Sequence, residues 1–221
     1  MNTIRSGTRR HLLIGYSCSI LLVLAYLNMF PVVRYIVKTW GTTPVLVLPI
    51  LITISALIAI SLLLLRARRV RRVQPDIAPI MIGTAICLAA LFIPDPEAPI
   101  KRIHVIEYMI LSLLIRYTMS IRLQGASLLV YSIFFTSLLG VHDELLQGLH
   151  PLRTYGTRDI LVNAVASAGG GFIWHGFRLF EHSTQASEPV VRLTPRSSSY
   201  LVWLFCSVLF FFMPLLSFRQ A

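Results

Sequence analysis

The hydrophobic positions of this chain come in long runs separated by polar breaks. Runs of this kind predict helices, and their length approaches the roughly 20 apolar residues that a membrane-spanning helix needs. The first run covers 12–30 and ends near Pro31; the second covers 45–65 and is followed by a dense basic stretch from Arg66 to Arg72. A third, 77–93, is short and bracketed by Pro79 and Pro94. A fourth covers 103–121 after the polar break PDPEAPIKR. The fifth begins after Gly125, is apolar to Val141, and helical periodicity carries it on to Gln147. The sixth covers 159–180, and the seventh, 200–216, follows a polar linker at 181–199. The expected fold is therefore all-α, a polytopic transmembrane helical bundle of six or seven spans, six if the short third helix is re-entrant.

Composition sharpens this expectation. Hydrophobic residues make up 56% of the 221 and charged ones only 13%, against about 25% charged in ordinary soluble domains. The mean hydropathy of +0.74 fits a chain with little soluble mass. The net charge of +11 raises the question of nucleic acid, but most of the arginines flank apolar runs, as membrane topology demands. The expected partner is the lipid bilayer, with no nucleic acid. Cys18, Cys87 and Cys206 are far apart inside apolar runs, with no CxxC pair, and read as small packing residues. Arg5, Arg9 and Arg10 before the first run resemble a secretory signal. No small-residue cleavage pattern follows, so an uncleaved first helix is expected.

Charge asymmetry orients the spans. A cytoplasmic N-terminus puts Arg5, Arg9, Arg10, the arginines of 66–72, Arg116, Arg122, Arg178, Arg192 and Arg196 inside, and leaves Arg34, Lys38, Lys101, Arg102, Arg153, Arg158 and Arg219 outside. The positive-inside rule favours that arrangement. It brings the polar segments 94–102 and 142–158 to the outer face. The chain then divides into an N-terminal two-helix segment with its basic loop (1–72), a four-helix core (78–180), the linker (181–199) and a C-terminal helix (200–221).

Two constellations carry candidate chemistry. In KRIHVIEY, His104 is three residues before Glu107 and four before Tyr108, so the three share a helix face, with Lys101 one turn earlier. A histidine beside a carboxylate is a candidate acid or base near neutral pH; the same set also serves as a buried hydrogen-bonded cluster that fixes helix packing. In the stretch 141–171, Glu144 and Gln147 lie three apart on one face, while His142 and Asp143 point elsewhere, Asp143 reading as a solvated end residue. Gly148 and Pro151 end the helix, and Arg153 and Arg158 follow. Asp159 stands where the next helix begins, in position to cap it, with Asn163 one turn deeper. Arginine is suited to a two-pronged grip on phosphate or carboxylate. A network of salt bridges joining the two helices accounts for the same residues without any ligand. No HExxH, paired cysteines or GxSxG motif is present, so no metal site is expected and no cofactor is named. The small residues from Ala164 to Gly171 read as a surface for close helix approach.

Taken together, KxxHxxxY (Lys101, His104, Tyr108), ExxQ (Glu144, Gln147), the arginine after a proline-containing turn (Arg153) and DxxxN (Asp159, Asn163) resemble the VanZ-like membrane protein family over residues 78–180. The departures are Ile100, where the family often has an aspartate, and Ala166, where a glycine is usual. The resemblance implies a bacterial cytoplasmic-membrane protein and a link with glycopeptide (teicoplanin) resistance for the founding member, without a settled reaction. The expected function is an outward-facing polar site that binds or processes an anionic envelope component, a lipid-linked phosphate or a cell-wall precursor. Glu144, Asp159 and His104 are the catalytic candidates; Arg153, Lys101, Gln147, Asn163, Tyr108 and Glu107 are the binding candidates. A non-catalytic scaffold or accessory subunit, and a transporter or flippase, are the alternatives. The crowding of ionisable residues at one face counts against transport, and neither enzyme activity nor oligomeric state is decided by these residues.

Overall fold

A computed structural model describes residues 2–27, 29–71, 74–148 and 156–181. Arg153 and Pro151 fall outside these residues, as do the seventh run and all but the first residue of the preceding linker. Among the described residues the chain is helical with no strand: α1 (Asn2–Leu27), α2 (Met29–Trp40), α3 (Thr43–Arg71), α4 (Ile77–Ala90), a single 3-10 turn (Pro99–Arg102), α5 (Ile103–Met119), α6 (Gly125–Gly148) and α7 (Thr157–Gly176).

The apolar runs among the described residues became helices, but several boundaries moved. Pro31 does not close the first helix. It is the third residue of a separate helix, α2, where its missing N–H is one of those the first turn leaves unused anyway. The basic stretch after the second run does not begin a loop, because α3 continues through it to Arg71. The sixth helix starts at Thr157 and stops at Gly176, short of the expected end. The extension of the fifth helix past Val141 holds, since α6 runs unbroken to Gly148.

Among the described residues two helices, Thr43–Leu63 within α3 and Gly125–Gly148, are long and apolar enough to cross a membrane; Leu12–Leu22 and Ile77–Ala90 are shorter apolar helices. The first of these helices carries its apolar side chains on the outside: Leu51, Ile52, Ile58, Leu62 and Leu63 are all exposed. Outward-facing aliphatic side chains along a whole helix call for an apolar solvent, which a bilayer supplies. Buried hydroxyls along the helices are satisfied within their own helix: Thr53 Oγ1 donates to the Pro49 carbonyl at 2.8 Å, and Thr136 Oγ1 to that of Ser132 at 2.7 Å.

The bundle is organised around α7, which packs against α4, α5 and α6, while α1 and α3 lie against α5 and α2 rests chiefly on α3. Small residues make these approaches possible. A Cβ on Gly169 would come within 3.0 Å of the Gly83 carbonyl oxygen, so α4 and α7 meet backbone to backbone. Asp76 caps α4 by accepting from Ala78 N at 3.2 Å, and its own N–H donates to the Gly176 carbonyl at 2.8 Å, tying the start of α4 to the end of α7. The stripe from Ala164 to Gly171 is thus a packing surface: Gly170 faces Met109 and Ser112 of α5, and Gly171 faces Ile133 of α6.

Candidate functional site

The site lies where α5 begins, α6 ends and α7 begins. Pro99 opens the 3-10 turn that holds Lys101, and Arg102 Nε donates to the Leu91 carbonyl at 3.1 Å, which fixes the turn on the end of α4. Lys101 reaches across to Asp159 and forms an ion pair with it. The lysine side chain is 30% exposed and the aspartate only 3%. Asp159 does not cap α7, contrary to expectation. The cap position belongs to Gly156, whose carbonyl accepts from Asp159 N at 3.1 Å. Asp159 is the third helical residue, where its carboxylate still favours the positive helix end but is spent on Lys101.

Below that rim the first turns of α5 bring His104 Nδ1 within 2.9 Å of Glu107 Oε2, both side chains buried. The shared face predicted for His104, Glu107 and Tyr108 is therefore present. Tyr108 turns toward α6, donating its hydroxyl to Asp143 Oδ2 at 3.1 Å, and Gln147 Nε2 donates to the same oxygen at 2.8 Å. Asp143 is fully buried at the centre of the cluster; the expectation of a solvated end residue is overturned. The spacing that pairs on α6 is Asp143 with Gln147, one turn apart, and not Glu144 with Gln147. That i,i+4 spacing is visible in the sequence and marks Asp143 and Gln147 as a pair, but it does not say that their face is buried. His142 points away, its Nδ1 2.8 Å from the Leu138 carbonyl oxygen.

Glu144 is also fully buried. Among the described residues its Oε2 takes only a long 3.4 Å contact from Gly156 N, and Oε1 has no hydrogen-bond partner. Asn163 donates to the Gly140 carbonyl at 3.4 Å and leaves its Oδ1 unpaired, as Asp143 does its Oδ1. Gly140 is the residue that lets these groups meet. A Cβ there would sit 2.7 Å from that of Asn163 and 2.9 Å from Tyr108 Cε1, so three helices converge on one glycine. Nothing in the local sequence singled it out.

The described site holds four carboxylates, on Glu107, Asp143, Glu144 and Asp159, against Lys101 and His104. It is rich in acceptors and short of donors, with its most exposed cation at the rim. Of the candidates, Lys101, His104, Glu107, Tyr108, Glu144, Gln147, Asp159 and Asn163 are all brought together; Arg153, the expected anion grip, lies outside the described residues. Arg158 is exposed and pairs with Asp95 at 3.3 Å on the surface. Among the described residues no group of three histidine, cysteine, aspartate or glutamate side chains converges as a metal site would require.

A second polar cluster occupies the opposite end of α5. Arg116, counted above as an inside charge, is fully buried instead. Its Nε donates to the Leu179 carbonyl at 2.9 Å and its Nη2 to Glu181 Oε1 at 3.0 Å, an oxygen that also lies 3.3 Å from His175 Nδ1. The chain after α7 turns back to make these bonds through Arg178 and Phe180, both in the left-handed region at φ 52° and 63°. This is a structural clamp on the end of the bundle. No family model matches the chain, and no curated protein or solved structure matches it either.

Proposed function

We propose that this is a VanZ-like integral membrane protein of the bacterial cytoplasmic membrane, with six or seven spans, a cytoplasmic N-terminus and an outward-facing polar site for an anionic cell-envelope component. The observation that carries the reading is the meeting of two sequence motifs in one buried cluster. Lys101, His104 and Tyr108 come from one, and Glu144, Gln147, Asp159 and Asn163 from the other, and they converge at the junction of α5, α6 and α7. Ionisable groups held together within a membrane bundle cost stability and are kept where they act on something.

The division of labour follows from position. Lys101 is the partly exposed cation at the rim, so the anionic group of a lipid-linked phosphate or cell-wall precursor meets it first, trading places with Asp159. Arg153, in the segment between α6 and α7, is the further candidate for the same anion. The carboxylates deeper in repel a second anion, which sets the ligand's polarity: charge at the mouth, neutral part inward. His104 with Glu107, and Glu144 with an oxygen unpaired, are placed to move a proton to or from that inner part. The family resemblance extends the reading to glycopeptide resistance.

One observation favours a second reading, a scaffold without catalysis. Lys101–Asp159, His104–Glu107 and Tyr108–Asp143–Gln147 satisfy one another internally, as structural glue would. The two readings separate by assaying Glu144→Gln, Arg153→Ala and Lys101→Gln for folded protein in the membrane and for an envelope phenotype. Folded variants that lose the phenotype support the site. Folded variants that complement fully sink it, and variants that vanish from the membrane favour the scaffold. Reporter fusions after residues 72 and 150 test the topology, and a cytoplasmic signal at 150 removes the outward-facing site.

A further inference from the structure

Between α1 and the apolar helix α3 the chain forms α2, and this helix has two unlike sides. Val32, Ile36 and Trp40 recur every fourth residue along one row, with Val33 and Val37 on the next; Arg34 and Lys38 are one turn apart on the other side. Val33 and Ile36 are half-buried against the bundle. The rest of the apolar side is open: Val32 is 55% exposed and Trp40 63%, and at the border between the two sides Tyr35 is 63% exposed. Tyr35 and Trp40 meet edge to face with ring centres 6.3 Å apart.

Length and connection decide what covers that side. Twelve residues of helix extend about 18 Å, well short of the roughly 30 Å of a bilayer's hydrocarbon core. Yet α2 is joined to Thr43, where the apolar span begins, by Gly41 and Thr42 alone, with Gly41 turning the chain at φ +78°. Its C-terminal end is thus held at the depth where the apolar helix enters the membrane. An amphipathic helix fixed at that depth, with tyrosine and tryptophan and with basic residues on its polar side, has the make-up of a segment lying in the headgroup layer.

We infer that α2 is an interfacial helix, lying in the plane of the membrane with Val32, Val37 and Trp40 in the acyl boundary and Arg34 and Lys38 on anionic phospholipid headgroups. This rests on the reading of Thr43–Leu63 as a span. The occupant is the bilayer, because the charges of Arg34 and Lys38 on the side away from the apolar rows complement an anionic lipid surface, which takes both sides of the helix at once.

The test uses the full chain, with Cys18, Cys87 and Cys206 replaced by serine, reconstituted in phospholipid vesicles and spin-labelled one site at a time through Val32→Cys, Arg34→Cys, Val37→Cys, Lys38→Cys, Trp40→Cys and, as the control within the span, Ile54→Cys. Labels at 32, 37 and 40 are expected to be relaxed by oxygen dissolved in the lipid, and labels at 34 and 38 by a water-soluble nickel chelate, with 54 reached by oxygen alone. Water access at all five α2 positions, while 54 stays lipid-exposed, overturns the inference for α2 and leaves the span standing. Water access at 54 overturns both. Dipolar broadening between labels at 37 or 40 on different molecules identifies a second copy as the occupant and also overturns it. Adding anionic lipid to zwitterionic vesicles should carry the label at 37 deeper, and Arg34→Gln with Lys38→Gln should abolish that shift; an unchanged depth in the parent chain refutes the headgroup contact.

Discussion

Lys101 and Asp159 stand 58 residues apart in sequence and form an ion pair that joins the turn before α5 to the first turn of α7. The lysine keeps nearly a third of its side chain in contact with solvent, while the aspartate is buried. Removing the cation therefore strands a carboxylate out of water, whereas removing both charges does not. Lys101→Gln is expected to destabilise the protein by about 1–3 kcal/mol, less than a fully buried pair would lose because the lysine is partly hydrated. The double variant Lys101→Gln/Asp159→Asn should recover part of that loss. Thermal unfolding of the parent, Lys101→Gln, Asp159→Asn and the double variant in detergent measures the coupling, and additive effects would show that the contact contributes nothing.

Asp143 offers a way to separate architecture from chemistry. Asp143→Asn keeps an oxygen for the Tyr108 hydroxyl and the Gln147 amide, so folded yield should stay near that of the parent. Asp143→Leu leaves both donors buried without an acceptor, at about 1–3 kcal/mol for each. Comparing the melting temperatures of the two variants checks this. An asparagine variant as unstable as the leucine one would mean that the charge, not the hydrogen bonds, holds the three helices.

Gly140 admits Asn163 and Tyr108 at distances that no side chain tolerates. Gly140→Ala must push α6 away from α7 or shift the tyrosine ring, and overpacking of this kind costs about 1–3 kcal/mol. Loss of melting temperature together with loss of any envelope phenotype is expected. A variant of unchanged stability would show that the helices yield there freely.

The clamp at the other end predicts a local effect. Glu181→Ala removes the carboxylate partner of a fully buried guanidinium, and the turn carrying Arg178 and Phe180 in the left-handed region loses the bond that holds it. Trypsin cleavage after Arg178 in detergent should speed up markedly relative to the parent, with helix content by circular dichroism unchanged. Equal cleavage rates would show that the Leu179 carbonyl alone retains the segment.

The outward aliphatic face of α3 gives the membrane reading its own test. Ile54 lies near the middle of the Thr43–Leu63 stretch and is 40% exposed. Ile54→Arg puts a charge at the centre of the hydrocarbon and should weaken insertion by about 2.5–3.5 kcal/mol. Glycosylation mapping of the inserted fraction reports it; a parent chain whose 43–63 segment fails to insert would argue against a span at this place.

What the sequence alone determined is the local part of the molecule. Runs of aliphatic residues make helices wherever they meet an apolar solvent, and spacings of three and four put His104, Glu107 and Tyr108 on one face with no help from the rest of the chain. The tertiary structure decided the rest. A helix that is apolar on every side carries no pattern to say which face turns inward, so the burial of Asp143, the approach at Gly140 and the partner of Arg116 depend on which helices it meets. Asp159 could equally have capped its own helix; only the arrival of Lys101 from the turn before α5 made it half of an ion pair.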